Sequence, residues 1–347
     1  MRSSKGLCRD VTVSRLYIIQ AVFIVLLIAM QACTPAREQK MVHAQMYLKV
    51  PLDSAGATEC FAEGKHYGIM SVREQTFYPN EDSFHKMHHH GVALESEVTA
   101  YRIYFDKRQT VDVYAKRTPR LELAESLWYP NDSLLACGYG DDVLKVGNTI
   151  GVGSVRPYDR EKQRLQNMDK FESRTQRIVA LTDTSATVEV EVRGLQTEGK
   201  AVDMLTRYTI LAGHRDMNCQ VYVSDTLGTL VTGVQSIGGG EMMTYEDKGT
   251  LLASWGTDWP VNDTIKYKKE TLGIAVSVPC RYACEVEKLS GQTLVSLTPR
   301  YCNGSEMPTG YRYYAEFSLT TVAMKEDTPP ASNAEEFFKY AIKWSEE

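Results

Sequence analysis

The chain has 347 residues, a formal net charge of -5 and a hydrophobic fraction of 43%. The acidic balance and the lack of a basic stripe argue against a nucleic-acid-binding protein, so no nucleic-acid partner is expected. The length and the apolar content are sufficient for one large β domain or two small ones.

Residues 1–33 have the pattern of an export signal. Four basic residues precede the apolar run LYIIQAVFIVLLIAM at 16–30, and QAC follows at Cys33. This pattern predicts a lipoprotein signal peptide, cleaved before a lipidated Cys33. A single transmembrane anchor is the alternative, although the run is shorter than the roughly 20 residues that a spanning helix needs. We expect an exported chain, lipid-anchored to the outer membrane of the cell envelope and facing the periplasm.

Strand patterns dominate the rest of the chain. Segments rich in Val, Ile, Thr and Tyr occupy residues 98–105, 109–116, 176–183, 185–195, 206–213, 216–224, 249–256, 271–279 and 293–301. Helical patterns occur at residues 119–127, 158–172 and 333–347, the last with Asn333 as its N-cap. Many strands with few helices predict an all-β fold, a large antiparallel β-sandwich with a few short helices and a C-terminal helix. We expect residues 34–65 to supply an N-terminal extension and the first strands, and residues 66–347 to form a single sandwich domain.

Six cysteines remain in the predicted mature chain, namely Cys60, Cys137, Cys219, Cys280, Cys284 and Cys302. Export to an oxidising compartment permits disulfides, but no CxxC pair is present to suggest structural zinc. A bridge from Cys280 or Cys284 to Cys302 and buried free thiols are both compatible with this spacing.

The segment FHKMHHHG, residues 84–91, holds four of the seven histidines within six positions. It leads into VALESEVTAYRIYF, which its alternation predicts to be one long strand. On such a strand Glu95 and Glu97 share a face and Arg102 lies on the other. His89 falls on the glutamate face unless Gly91 introduces a bulge.

Glutamates in a stretch built for burial are costly unless they are paired or line a cleft. Histidine transfers protons near neutral pH. The pattern therefore predicts the catalytic residues His88, His89, His90, Glu95, Glu97 and Arg102. One alternative is a solvated edge strand with histidines in its loop. Another is a divalent metal bound by a His-x-His pair, with His85, Glu95 or Glu97 as third ligand; no other cofactor is expected.

Four further segments carry polar or aromatic residues suited to a sugar: the glycine-rich stretch 138–155, the turn at 210–217, and the segments 236–247 and 251–260. Indole faces stack on pyranose rings, carboxylates bind hydroxyls, and arginine binds carboxylates. With Tyr101 on the glutamate face, the predicted substrate-binding residues are Tyr101, Asp141, Asp142, Lys145, His214, Arg215, Glu241, Trp255, Asp258 and Trp259. Tight turns, core tryptophans and a solvated hairpin tip are the alternatives.

Two segments carry a resemblance. MHHHGVALESEVTAYRIYFDKRQTVDVYAKRTP followed by GYGDDVLKVGNTIGVGS resembles a family of bacterial exported proteins that is defined as a domain of unknown function. The likeness rests on a His-His-Gly…Glu…Tyr-Arg signature and an Asp-Val-Leu…Gly signature, and it covers most of the mature chain. It implies a galactose-mutarotase-like β-supersandwich in a glycan-degradation system, notably a pectin-type one. It implies no catalytic residue.

These observations favour a carbohydrate-active enzyme that acts on uronate-containing, pectin-type oligosaccharides as a lyase, hydrolase or mutarotase. A non-catalytic glycan-binding envelope lipoprotein is the alternative, since it needs the aromatic residues and not the histidines. A structural partner in the envelope is a third hypothesis. For the enzyme we expect the histidine run, the glutamates, the Asp141 loop and the tryptophans to meet in one cleft.

Overall fold

The computed structural model describes residues 41–62, 64–197, 199–265 and 267–347. Residues Met41–Glu347 form one compact unit. The signal peptide predicted over residues 1–33, its lipidated Cys33 and residues 34–40 of the predicted extension lie outside the described residues.

The described chain is mostly β-strand. The strands are β1 Val42–Gln45, β2 Tyr47–Val50, β3 Thr58–Ala62, β4 Lys65–Ser71, β5 Glu74–Phe77, β6 Gly91–Ser96, β7 Thr99–Tyr104, β8 Val111–Ala115, β9 Asp141–Asp142, β10 Arg156–Asp159, β11 Arg164–Leu165, β12 Ser173–Leu181, β13 Ser185–Thr197, β14 Lys200–Leu211, β15 Met217–Val223, β16 Leu230–Gln235, β17 Glu241–Glu246, β18 Gly249–Asp258, β19 Glu270–Pro279, β20 Ala283–Leu289, β21 Gln292–Leu297, β22 Arg300–Tyr301 and β23 Tyr313–Ala323. The helices are α1 Ser83–Lys86, α2 Leu123–Ser126, α3 Asp132–Ala136 and α4 Ala334–Glu346, and a 3-10 turn occupies His88–His90.

The strands form two layers of antiparallel sheet, which confirms the predicted all-β sandwich. One layer is a large sheet in the order β17-β18-β19-β23-β15-β14-β13-β12-β5, with β22 paired to β23. The other layer contains two five-stranded sheets, β1-β6-β7-β8-β9 and β11-β10-β16-β21-β20. One apolar core lies between the layers and includes Val92 of β6, Val190 of β13 and Val234 of β16.

The sheet β1-β6-β7-β8-β9 is buried on both of its faces. Its inner face joins the core between the layers, while its outer face packs Ala93, Ala100 and Tyr114 against Leu123 and Trp128. The small sheet β2-β4-β3 lies beside the same cover, because its apolar cluster includes residues 127 and 129. Polar side chains on this outer face are therefore enclosed, and each of them needs a partner.

Two of the helix predictions are wrong. Residues 158–172 begin as the hairpin β10–β11, in which Tyr158 pairs with Leu165. The side chain of Asp159 accepts the backbone N–H of Lys162 at 3.0 Å, so a side-chain-supported turn replaces the helix. Residues 119–127 contain only the four-residue helix α2.

Helix α4 confirms the third helix prediction. The Asn333 side chain accepts the backbone N–H of Glu336 at 3.0 Å, which is the predicted N-cap. Phe337 and Ala341 are buried against the outer face of the large sheet, where Trp255 lies. The tryptophan is thus a packing residue of this sheet face.

All six cysteines of the described chain are free thiols, so Cys302 pairs with neither Cys280 nor Cys284. Cys60 and Cys219 are buried, whereas Cys137, Cys280 and Cys284 are exposed. In the part of the chain that the structure describes, no helix has the length and apolar character needed to cross a membrane.

We expect Asn333→Ala to lower the free energy of unfolding by about 1 kcal/mol, because the first turn of α4 loses its cap. Asn333→Asp keeps an acceptor in the same place and is the matched control. Urea unfolding of both variants measures the difference. Equal stability of the alanine variant and the unmodified protein would show that the cap contributes nothing.

Candidate functional site

The segment predicted to be one long strand is a β-hairpin. Strands β6 and β7 pair with Glu95 opposite Ala100 and Ala93 opposite Arg102, and the chain turns at residues 97–98. A two-residue turn changes which alternate residues share a face. Glu95 and Arg102 therefore lie on the same outer face, and the prediction that they lie on opposite faces is wrong.

The three consecutive histidines form the turn that leads into β6, which we call the histidine turn. His89 and His90 have left-handed backbones, with φ of 41° and 67°. Gly91 follows because a Cβ there would lie 2.0 Å from the carbonyl oxygen of Ile103. The prediction that His88 and His90 lie on one side of a strand, as a metal pair, is wrong because the segment is a turn.

The outer two imidazoles are held by main-chain carbonyls. His88 donates Nε2–H to the carbonyl of Leu127 at 2.8 Å, so its Nδ1 accepts from the Tyr67 hydroxyl at 3.0 Å. His90 donates from Nδ1 to the carbonyl of Phe84 at 3.0 Å. Among the described residues no group of three His, Cys, Asp or Glu side chains is arranged to hold a metal ion.

His89 is the imidazole with an unused nitrogen. It is fully buried, and its Nε2 lies 3.3 Å from the side-chain nitrogen of Gln45. Because an amide nitrogen only donates, His89 Nε2 is the acceptor and Nδ1 carries the proton. That Nδ1–H has no partner within the described chain. Burial first, and then the neighbouring His88 and Arg102, hold the pKa of His89 well below 6.5, so it is neutral.

The centre of the site is Arg102. Its Nη1 donates to the carbonyl of His89 at 3.3 Å and to the Tyr129 hydroxyl at 3.1 Å. Its Nη2 contacts the Tyr104 hydroxyl at 2.8 Å, Asp112, and Asp142 at 3.0 Å. The guanidinium carbon also lies 4.5 Å from the Trp128 ring centroid. We call this group the arginine cluster; its members are Arg102, Tyr104, Asp112, Trp128, Tyr129 and Asp142.

Two carboxylates share the single positive charge of Arg102. Asp112 also accepts from the Tyr104 hydroxyl at 2.7 Å, and its second oxygen accepts the N–H of Val113. Burial raises the pKa of Asp142 well above 3.8, and the negative charge of Asp112 raises it further. The raised pKa favours the protonated form of Asp142, whose Oδ2 also accepts from Trp128 Nε1 at 3.2 Å and whose Oδ1 accepts the N–H of Leu144 at 3.3 Å.

Half-buried aromatic rings surround the cluster where it approaches the surface. Phe84 stacks on His90 with centroids 3.9 Å apart and contacts Tyr104 at 5.5 Å. Tyr129 and Tyr67 each lie 6.0 Å from His88. We call these four half-buried rings, Phe84, Tyr104, Tyr129 and Tyr67, the aromatic rim. Rings of this kind suit the C–H faces of sugars.

Backbone strain is concentrated at this site. Seven non-glycine residues of the described chain have positive φ, and four of them are His89, His90, Leu127 and Trp128. His88, which directly precedes the pair His89 and His90, donates a hydrogen bond to the carbonyl of Leu127 in the other pair. Strained backbone persists where the surroundings enforce it, and it is frequent at active sites.

Glu95, a predicted catalytic residue, has a structural environment. It is fully buried and ion-paired with Lys116, and its oxygens accept the backbone N–H groups of Glu122 and Leu123, both at 2.9 Å. Lys116 also donates to the carbonyl of Arg120 at 2.7 Å. We therefore do not include Glu95 among the reacting groups.

Another four predicted residues lie at the far end of the β6–β7 hairpin. Glu97 accepts the N–H of Gly213 at 2.9 Å, and the Tyr101 hydroxyl donates to the carbonyl of Arg215 at 2.6 Å. Arg215 is bound by both oxygens of Glu326, so it is not a free carboxylate clamp, and His214 is exposed beside Asp216. Six strand residues separate this end from the histidine turn, which corresponds to about 20 Å.

The remaining predicted residues are dispersed. Trp255 is buried under α4, Glu241 is exposed on the edge strand opposite it, and Lys145 is exposed in the glycine-rich loop. Trp259 and Asp258 lie at the end of β18, where Lys269 sits 5.9 Å from the Trp259 ring. In the loop that follows, burial and then the negative charges of Asp141 and Asp142 raise the pKa of Tyr267. The structure brings together the histidine turn, Arg102, Asp141 and Asp142, but not the whole predicted cleft.

Five important residues of the site were not singled out from the sequence. Tyr104 follows Arg102 by two positions, and Asp112 interrupts the apolar strand VDVYA. Trp128 and Tyr129 are adjacent in SLWYP, and Phe84 begins the histidine segment. Asp112 was the available signal for the site, because a lone charge on an apolar strand requires a partner when it is buried.

The comparisons with known proteins give a family and two distant likenesses. The family model described as "Domain of unknown function (DUF4861)" matches residues 27–347, and no curated protein matches the chain. A protein in the Glycosyl Hydrolase Family 38 from Enterococcus faecalis is similar at 8% identity and a TM-score of 0.37, over 88% of this chain and 41% of that one. GH36 alpha-galactosidase AgaB from Geobacillus stearothermophilus is similar at 9% identity and a TM-score of 0.25, over 71% and 41%. The chain thus spans about two fifths of these structures, and neither likeness bears on the chemistry of the arginine cluster.

His89 should make the protein less stable in acid. Its pKa is depressed in the folded state, so the unfolded chain binds a proton that the folded chain excludes, and stability is lost as pH falls below 6.5. Between pH 6.5 and about pH 5, we expect the His89→Asn variant to lose about 1–2 kcal/mol less unfolding free energy than the unmodified protein. Asparagine is chosen because it tolerates the left-handed backbone. Urea unfolding at several pH values measures it.

The matched control is His85→Asn, which removes an exposed histidine from the same segment. An identical pH dependence of stability in the unmodified protein and in His89→Asn would contradict the neutral, desolvated state of His89.

Proposed function

We propose that this chain, which belongs to the DUF4861 family, is a carbohydrate-active enzyme in which Asp142 transfers a proton to an acidic oligosaccharide. The observation that carries the proposal is the shared charge of Arg102. One guanidinium faces two buried carboxylates, and the raised pKa of Asp142 favours its protonated form. Paired groups with separated pKa values are characteristic of acid–base catalysts.

The other residues of the site have supporting roles in this proposal. Arg102 positions Asp142, and Asp112 balances the charge of Arg102. The fully buried ring of His89 lies 6.1 Å from the Trp128 ring and packs beside the cluster. The aromatic rim provides the stacking surface for the pyranose.

The placement of the carboxyl groups of Asp112 and Asp142 bears on the type of reaction. Hydrolysis by two carboxyl groups needs both of them to reach the sugar, about 5–9.5 Å apart. Asp112 and Asp142 contact the same nitrogen, but Asp112 is fully buried and does not reach a sugar. The proposal therefore assigns Asp142 the role of the acid, and it covers lyase, hydrolase and mutarotase reactions alike.

The acidic, pectin-type substrate and the cellular location extend the proposal. The resemblance described for the histidine and glycine-rich segments implies a glycan-degradation system. The lipoprotein signal predicted over residues 1–33 would hold the enzyme at the envelope, facing the periplasm. These parts rest on the sequence, and the proton transfer rests on the cluster.

A non-catalytic glycan-binding protein is the second candidate function. This candidate is favoured because Asp112 already accepts hydrogen bonds from Arg102 and Tyr104. These bonds hold the aromatic rim rigid, and they leave Asp112 buried. In such a protein the rim binds sugar and Asp142 is a buried partner of Trp128. The two candidates differ in what Asp142→Asn does to turnover.

We expect Asp142→Asn to lower turnover of uronate oligosaccharides by about 100- to 10,000-fold, because the variant loses the transferable proton. Folding should be retained, since asparagine resembles the neutral acid. The raised pKa makes the contribution of Asp142 to stability largest in acid and lost as pH rises through it, so the variant is not destabilised at neutral pH. Products are followed by mass, by absorbance of unsaturated ends and by anomeric NMR signals.

The control is Asp327→Asn, a half-exposed aspartate that pairs with Arg117 outside the site. It should keep full turnover. Full turnover by Asp142→Asn would exclude the proton-transfer role, and sugar binding without turnover in the unmodified protein would establish the binding function instead.

A further inference from the structure

A basic cleft is lined by the sheet β11-β10-β16-β21-β20 together with the turn between β7 and β8. It has a volume of about 690 Å³ and is lined by Arg108, Arg156, Lys162 and Arg164, together with neutral Asn, Gln, Ser and Leu side chains. No aspartate or glutamate is among its lining residues. The volume is in the range of ligand sites.

The cleft is formed by several connections between strands, which include the loop between β9 and β10. Arg108 comes from the turn between β7 and β8, Arg156 and Arg164 come from the hairpin β10–β11, and the turn between β20 and β21 closes it. Arg108 is four residues from Tyr104 of the aromatic rim, so their Cα atoms are at most about 14 Å apart. One oligosaccharide can therefore contact both the cleft and the rim.

The buried guanidinium of Arg156 is incompletely compensated. It is 3% exposed, and its Nε and Nη2 donate to the carbonyl of Gln166 at 3.2 and 3.1 Å, while Nη1 has no partner in the described chain. Asp106 is already bound to Arg108, whose Nε lies 2.8 Å from it. Burial lowers the pKa of Arg156 to about 10, with Asp106 opposing the shift and the charge of Arg108 adding to it.

We infer that this cleft binds the carboxylate of an acidic sugar. Arg108 and Arg156 share one aspartate, so an added anion offsets repulsion between two guanidinium groups. The neutral amide and hydroxyl side chains provide partners for sugar hydroxyls, and the leucines provide apolar contact. Only one part of the inference rests on the proposed function, namely that the ligand is an oligosaccharide.

The test is calorimetric binding of trigalacturonate, and of the same trimer with its carboxyl groups reduced, to the full chain. The variants are Arg164→Gln, at an exposed position, and Arg108→Gln. We expect each to weaken trigalacturonate binding by about tenfold, with a smaller dependence on salt, because one charged contact is lost. The control is Arg281→Gln, which removes an exposed arginine bound to Glu316.

Equal affinity of the unmodified protein for the acidic and the reduced trimer would overturn the inference. So would unchanged affinity in both variants, or tighter binding of a single-stranded oligonucleotide than of the sugar. Turnover separates this inference from the proposed function. Loss of activity in Asp142→Asn with unchanged binding in both Arg164→Gln and Arg108→Gln refutes the cleft alone, while charge-dependent binding without turnover refutes the enzyme alone.

Discussion

A buried arginine with two carboxylates is the constraint on which the rest of the site depends. Arg102 lies on β7, and its partners come from β8, β9, the segment after α2 and the histidine turn. One side chain therefore joins five separate pieces of the chain. Removing it would leave Asp112 and Asp142 together without a cation, which costs far more than an exposed ion pair contributes.

The two faces of the sheet β1-β6-β7-β8-β9 explain why this charge is enclosed. Apolar residues such as Val92 and Leu94 face the core between the layers. The opposite face carries Arg102, Asp112, Glu95 and Lys116, and Trp128 covers part of it. Every polar group under this cover needs a partner. The ion pairs Arg102–Asp112 and Glu95–Lys116 provide these partners. Where the cover ends, the aromatic rim and Asp142 approach the surface.

The sequence was sufficient for many of the strands and for helix α4, but insufficient for the faces on which their side chains lie. Alternation predicted the strands and the cap at Asn333 predicted helix α4, because both are local signals. The hairpin at residues 97–98 was missed, since ESEV carries no glycine, proline or asparagine to mark a turn. That miss placed Glu95 and Arg102 on opposite faces. The pairing of Arg102 with Asp112, ten residues away, depends on the register of the next hairpin, β7–β8.

The titration of the Asp142 carboxyl group is the most direct test of this account. Carbon-13 NMR of a chain labelled at the aspartate carboxyl carbons follows each resonance with pH, and Asp142→Asn identifies the signal of Asp142. The account predicts that this signal remains that of a protonated acid well above pH 3.8, the ordinary value for aspartate. A signal that titrates at or below that pH would show that both carboxylates are charged beside Arg102, and would contradict the role of Asp142 as the proton donor.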